Sequence, residues 1–164
     1  IGVFEQRLVP LASLTRGTVV ALEAPRDPGN VGTIIRTADG AGAAGVVLIG
    51  ASADPFGVEA VRATMGSLFH VPLARATPAA FAAYLDGFAG AVVGTHLSAT
   101  QDFRALAPSE PQVLLMGTEQ SGLTEEMAAR CTHLVKIPMA GQADSRNLAI
   151  AKMIRADNLW RRTH

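Results

Sequence analysis

Apolar positions along this chain follow two rhythms. Short aliphatic or β-branched runs occupy residues 18–24 (TVVALEA), 46–49 (VVLI), 91–97 (AVVGTHL), 113–116 (VLLM) and 133–137 (HLVKI). Each has strand length and most are flanked by turn-forming residues, so each predicts a buried strand. A further strand is predicted within residues 68–73. Between the runs the spacing changes. Val31, Ile34, Ile35 and Ala38 recur at i, i+3, i+4 and i+7, which predicts a helix over residues 31–41, ended by Gly40 and Gly42. Helices are also predicted from Asp54 through about Met65 with Gly66 as the stop, and over residues 78–85. Another is predicted over residues 124–131, with Thr124 as the cap and Glu125 and Glu126 in the first turn. The last runs from Ser145 to about Arg162. Residues 98–111 read as a polar loop.

Strands and helices therefore alternate, the pattern of an α/β domain with a largely parallel sheet and helices on both faces. Ligands of such sheets bind beyond the carboxyl ends of the strands. Three polar loops, at 25–30, 117–123 and 138–146, each follow a strand and are candidates for that edge. In the third, Pro138 stops a strand, Gly141, Asp144 and Ser145 form a small polar loop, and a helix launches at Asn147. Small residues let a ligand approach the backbone, and helix-start N–H groups can bind acceptors. The plain alternative is a strand-to-helix connection capped by Ser145.

Composition narrows the function classes. At 164 residues, 49% hydrophobic and 17% charged, the chain suits one globular domain. Abundant alanine and glycine with little lysine reflect a high-GC source more than a function. Zero formal net charge argues against nucleic-acid binding through a broad basic surface, though not against a local patch. The single cysteine, Cys131, excludes an internal disulfide and fits a reducing, cytoplasmic setting. The four histidines are scattered without metal-site spacing. No apolar run approaches the roughly 18–20 residues of a membrane span, and no signal-peptide pattern is present.

Familiar nucleotide and hydrolase motifs are absent. No P-loop or GxSxG occurs, and Gly40, Gly42 and Gly45 lie after a helix and before a strand, the reverse of a dinucleotide fingerprint. Three residues stand out instead. Asn30, at the helix start, is either a plain cap or a ligand contact. Arg36 lies about 150° from the centre of the apolar stripe. It is either a solvated arginine or a bidentate phosphate clamp. Glu119, between Gly117 and Gly122 just past a strand, is either a solvated turn residue or a carboxylate that orients Asn, Arg or a ligand hydroxyl.

Taken together, PRDPGNVGTIIRTADGAGA, LLMGTEQSGL and IPMAGQADSRNLAIA, in that order, resemble the three motifs of the SpoU/TrmH group of SPOUT RNA methyltransferases. The resemblance covers residues 18–160. It implies a parallel-sheet α/β/α sandwich whose C-terminal segment forms a deep trefoil knot, an exception to ordinary connection rules. It also implies S-adenosylmethionine as cofactor, lined by Gly117, Ile137, Met139, Arg146 and Leu148, with Thr95 and His96 as further contacts. No metal is implied. The implied reaction is methyl transfer to a ribose 2'-hydroxyl of structured RNA, rRNA or tRNA. The matching catalytic residues are Asn30, Arg36, Glu119, Ser145 and Asn147. Family members work as homodimers through the last helix. Longer members carry an N-terminal RNA-binding domain, so residues 1–17 are expected to be a linker and residues 18–164 the methyltransferase domain.

In the family the residue matching Arg36 is proposed as the base. A guanidinium is essentially never deprotonated in proteins, so an electrostatic role toward the developing alkoxide and an RNA phosphate is the alternative. Arg146 departs from the family's usual apolar residue. It would contact the cofactor through its backbone, alter the pocket with its side chain, or reach out to RNA. Two other readings remain: a knotted RNA-binding dimer without catalysis, and base rather than ribose methylation. Lys152, Arg155, Arg161 and Arg162 suit the dipole of a helix C-terminus.

Overall fold

The five aliphatic runs all become strands, and all join one parallel sheet. The computed structural model describes residues 3, 5–96, 98–107, 109–118 and 121–136. Among these the strands are β1 (Thr18–Glu23), β2 (Gly45–Ile49), β3 (Leu73–Ala76), β4 (Ala91–Thr95), β5 (Gln101–Asp102), β6 (Gln112–Met116) and β7 (His133–Lys136). The helices are α1 (Pro28–Gly40), α2 (Val58–Thr64), α3 (Pro78–Asp86) and α4 (Glu125–Ala128). The sheet order is β3-β2-β1-β6-β4-β7-β5, and every pairing is parallel. A parallel sheet needs both faces covered. The fully buried runs of β1, β2 and β6 reflect that.

Alternate residues of each strand feed two cores. Val20, Leu22, Val46, Leu48, Leu114 and Met116 pack with Val31, Ile34, Ile35 and Ala38 of α1. Val19, Ala21, Val47, Val113 and Leu115 pack on the other face with Phe81, Ala82 and Leu85 of α3 and Met127 of α4. The buried Gln112 side chain donates to the Thr18 hydroxyl at 3.1 Å. That pair supports the β1–β6 register, Thr18 opposite Gln112 and Leu22 opposite Met116, because a slip would break a hydrogen bond between two buried side chains.

Several boundaries differ from the sequence expectation. Helix α1 starts at Pro28, with Asp27 as its N-cap, so Asn30 is its third residue and not the cap. The Asp27 carboxylate accepts from the Asn30 N–H, and Pro28 suits a first-turn position that has no N–H to satisfy. Helix α2 starts at Val58, because Asp54 instead closes a turn, accepting from the N–H groups of Phe56 and Gly57. The strand expected within 68–73 is displaced. Residues Ser67–Phe69 form a 3-10 turn after left-handed Met65 and Gly66. Pro72 offers no N–H to the sheet, so the strand begins at Leu73. The supposed polar loop contains β5 and a 3-10 turn at Phe103–Ala105. Helix α4 is shorter than expected, giving way after Ala128 to tighter i→i+3 bonds at Arg130 and Cys131. The helix expected from Ser145 lies outside the described residues.

The segment before β1 is tied to the domain. The Val9 N–H donates to the Leu73 carbonyl, Leu14 is buried in the α3-side core, and the Tyr84 hydroxyl donates to the Leu14 carbonyl at 2.5 Å. Burial pushes the Tyr84 phenol up to about 12.

Helices α1 and α2 meet through a glycine. A Cβ on Gly32 would lie 2.3 Å from the Ala60 carbonyl oxygen and 2.7 Å from the Ala63 Cβ. Gly32→Ala is therefore expected to destabilise the fold by about 1–3 kcal/mol through overpacking, outweighing the ~1 kcal/mol gain in helix propensity. Gly40→Ala, where a Cβ meets nothing within 4 Å, is expected to be neutral or stabilising by up to ~1 kcal/mol. Urea unfolding midpoints of the two variants check the contrast.

Candidate functional site

Strands β1, β6, β4 and β7 are neighbours at the sheet centre. Being parallel, they present their carboxyl ends to one edge, where β1 and β6 lead into the loops at 25–30 and 117–123 singled out in the sequence. After β1 the chain turns sharply at Ala24 (φ 45), whose N–H donates to the Ile49 carbonyl. It then runs through buried Pro25 to the Asp27 cap. Helix α1 thus begins at this edge and carries Asn30 in its first turn. Arg36 follows on an exposed face, opposite the buried Val31, Ile34, Ile35 and Ala38. It forms no ion pair with another described residue.

After β6 the backbone doubles back. Thr118 and Gly122 form an antiparallel bridge with N–H to carbonyl distances of 2.9 and 3.0 Å. The Thr118 and Ser121 hydroxyls meet at 2.6 Å. Gly117 is the point that lets the loop close: a Cβ there would lie 2.0 Å from the Gly122 carbonyl group. Gly122 itself has φ +73, a conformation that favours glycine. Beyond the hairpin Leu123 is buried, and Thr124 caps α4 by accepting from the Met127 N–H.

His96 follows β4, which ends at Thr95. Its backbone N–H donates to the Val135 carbonyl of β7. Its ring Nδ1 accepts from the Ser98 N–H at 3.3 Å and lies 2.7 Å from the Ser98 hydroxyl. An accepting Nδ1 places the ring proton of the neutral imidazole on Nε2, leaving that N–H as a donor. The ring also lies 4.0 Å from where a Gly122 side chain would begin, so the β4 and β6 loops run close to one another at this edge. On the far side of β7, Asp102 of β5 pairs with Lys136 in register. Arg104 hydrogen-bonds the Asp102 carboxylate and holds it down to about 2.

The structure thus brings Asn30, Thr95, His96 and Gly117 to one edge, with Arg36 farther along α1. Glu119, Ile137, Met139, Ser145, Arg146, Asn147 and Leu148 lie outside the described residues. One residue escaped the sequence reading. Glu23, the last residue of β1, is only 6% exposed. Its carboxylate accepts from the Thr124 N–H at 2.9 Å and from the Thr124 hydroxyl at 2.7 Å. The available signal was an acid within an otherwise apolar strand run, since a buried carboxylate requires partners.

The part of the edge described here is built from backbone and small residues, Gly94, Thr95, Gly117, Thr118, Ser121 and Gly122. Such a surface can offer N–H and carbonyl groups to a flat, polar ligand at close range.

The SpoU rRNA methylase family model matches residues 17–156. The chain is 35% identical over 140 residues to the 23S rRNA (guanosine(2553)-2'-O)-methyltransferase of Bacillus subtilis, covering 85% of this chain and 56% of that protein. It is 36% identical over 138 residues to the 23S rRNA (uridine(2479)-2'-O)-methyltransferase of Streptomyces viridochromogenes, covering 80% and 48%. The chain therefore spans about half the length of these relatives. Among solved structures, the AdoMet-bound rRNA methyltransferase of Sinorhizobium meliloti superposes with a TM-score of 0.88 at 48% identity, over 96% of this chain and 62% of that one.

Cys131 sits behind this edge, half-buried, near Gly94 and Leu123. Burial, and secondarily the Glu23 charge, push its thiol up to about 11 from an ordinary 9.0. A raised thiol pKa means that folding favours the protonated form. That contribution is complete below the unfolded pKa and is lost as pH rises from about 9 toward about 11. At pH 8 the native thiol is expected to react with a disulfide reagent on the order of 100-fold more slowly than an ordinary cysteine. Urea is expected to restore the full rate, and stopped-flow absorbance reads both.

Proposed function

The chain belongs to the SpoU rRNA methylase family, and from that premise we propose that it transfers the methyl group of S-adenosylmethionine to a ribose 2'-hydroxyl of ribosomal or transfer RNA. The observation that carries this reading is the junction of the first two motif loops on neighbouring strand ends. Leu22 of β1 is in register with Met116 of β6, so the loop leading to Asn30 and the loop beginning at Gly117 leave the sheet side by side. The names of the curated relatives favour ribosomal RNA. The AdoMet-bound neighbour supports the cofactor.

In this reading the cofactor supplies an electrophilic methyl on a sulfonium, and the protein supplies geometry. Gly117 and the backbone around Thr95 and His96 hold the cofactor together with Ile137, Met139, Arg146 and Leu148. Asn30, Ser145 and Asn147 fix the ribose and the Arg36 side chain, and Glu119 anchors that network. Arg36 keeps its charge throughout. It would stabilise the negative charge developing on the 2'-oxygen and hold the adjacent phosphate. That oxygen gains the methyl, the sulfur–methyl bond breaks to leave a neutral thioether, and the hydroxyl proton passes to water. Alignment of the hydroxyl oxygen with the methyl carbon provides a large share of the rate. The same reading takes the C-terminal segment as a trefoil knot and the working unit as a homodimer through the last helix. It takes residues 1–17 as the link to an RNA-binding domain and the cytoplasm as the place of action. Among the described residues no helix is long and apolar enough to cross a membrane.

Calorimetry with S-adenosylhomocysteine is expected to give one site per protomer, and Gly117→Ala is expected to lose at least about tenfold in affinity because its loop cannot close. Arg36→Ala is expected to retain that affinity within about twofold while methyl transfer to ribosomal RNA falls about 100-fold or more. Mass spectrometry of the digested RNA is expected to place the methyl on ribose. A methylated base would refute the ribose assignment, and full methylation by Arg36→Ala would refute the role of that arginine.

A further inference from the structure

We propose that Glu23 is a positioning residue for the methyl-transfer site: its buried carboxylate sets the β6 hairpin, and with it the cofactor-binding backbone, against the loop that leads to Asn30. The inference rests on the function proposed above. Continuing the β1–β6 register by one residue places Glu23 opposite Gly117. From there the carboxylate does not bond to its own loop. It reaches across to Thr124, accepting from its N–H and its hydroxyl at 2.9 and 2.7 Å. Thr124 is the far end of the hairpin stem and the cap of α4.

The hairpin is thereby held at two ends. Gly117 continues from β6, and the Thr118–Gly122 bridge folds the loop back over it. Thr124 is pinned to β1. Leu123, between them, inserts among the side chains beside Gly94 and Leu115. Removing the Glu23 contacts would free the stem to shift along β1 while leaving the sheet intact. The motif loops are the parts whose relative placement would change: Gly117 with the cofactor on one side, Asn30 and Arg36 on the other.

The choice of a carboxylate supports position over stability. A buried ion is costly to desolvate, and an apolar side chain of similar volume commonly serves stability as well or better. Charge-assisted acceptance of two donors is short and directional, which is what a positional tie requires. A strand end filling the core would need only an aliphatic residue, as Ile49 does at the end of β2.

The test uses the full chain with S-adenosylhomocysteine as probe, well below each variant's unfolding temperature. Glu23→Ala is expected to weaken binding about tenfold, ~1.4 kcal/mol, and to lower kcat at saturating cofactor. Glu23→Gln, which still offers an oxygen to the Thr124 N–H, is expected to stay within about threefold of the parent. Thr124→Ala keeps the N–H but loses the hydroxyl, so it is expected to weaken binding about threefold, and less than additively when combined with Glu23→Ala. Hydrogen exchange is expected to show faster opening across residues 118–124 without cofactor.

A folded Glu23→Ala that binds the probe as the parent does, whatever its melting temperature, would overturn the inference, because a merely structural tie changes stability and not affinity. Should Glu23→Ala not fold, unchanged affinity in Thr124→Ala would overturn it equally. Failure of the parent itself to bind the probe sinks the proposed function and this inference with it, so the two failures are distinct.

Discussion

The β1–β6 pair is the contact on which the functional edge depends. It is bracketed by polar ties at both ends. At the amino end, the Gln112 side chain donates to the Thr18 hydroxyl in a buried setting. At the carboxyl end, the Glu23 carboxylate accepts from Thr124. The aliphatic residues between them would pack tolerably in more than one register, since valine, leucine and alanine differ little in what they demand of a neighbour. The buried polar groups do not share that tolerance, because each must find its partner or lose a hydrogen bond in a place water cannot reach. Register along this one pair therefore fixes which loop residues meet at the edge.

Close approach is the second constraint, and glycine supplies it. Gly32 brings α2 onto α1, Gly117 lets the β6 hairpin close, and Gly94 leaves room for Cys131 and Leu123 behind β4. In each case a single methyl group would collide. Read as composition, the abundance of glycine and alanine points only to a high-GC source. Read by position, these three glycines set the distances between the elements that carry Arg36, Gly117 and Thr95. Alanine plays the matching part at Ala63, whose Cβ lies only 2.7 Å from where a Cβ on Gly32 would stand.

How much of this could be read from the sequence depended on the kind of signal. Periodicity located the buried face of α1 correctly, because Val31, Ile34, Ile35 and Ala38 answer to one core and are all buried. The aliphatic runs located five strands for the same reason. Boundaries were harder, since they are set by capping choices among near-equivalent residues. Asp27 took the cap that Asn30 could have filled, and Asp54 closed a turn instead of starting a helix. The displaced β3 was hidden because left-handed Met65 and Gly66 and a prolyl break decide where it begins. Glu23 was missed because its partner is 101 residues away, and no local pattern announces a contact of that separation. The edge itself was legible only through the order of motifs along strands. Glu119 and the third motif lie outside the described residues.

Charge gives the last link between fold and function. A formal net charge of zero suggests indifference to a polyanion, but an average conceals where the charges are committed. Arg75, Arg104 and Arg130 pair with Asp54, Asp102 and Asp86. Asp39, at the far end of α1, accepts from Ser67 and faces His70, and the Ser67 hydrogen bond helps hold its carboxyl below the usual range. The exposed arginines nearest the motif edge, Arg26 and Arg36, form no ion pair with another described residue. Beside the start of α1 these arginines share the surface with the capping Asp27 carboxylate and with Glu59, both 3.3 Å from where a Cβ on Gly29 would stand, while the helix-start N–H groups add positive charge. At separations shorter than the ~8 Å screening length of physiological salt, a phosphate meets this local field and not the average. A neutral average therefore conceals a mixed local field at this edge, acidic at the first turn of α1 through Asp27 and Glu59 and cationic at Arg26 and farther along the exposed face at Arg36.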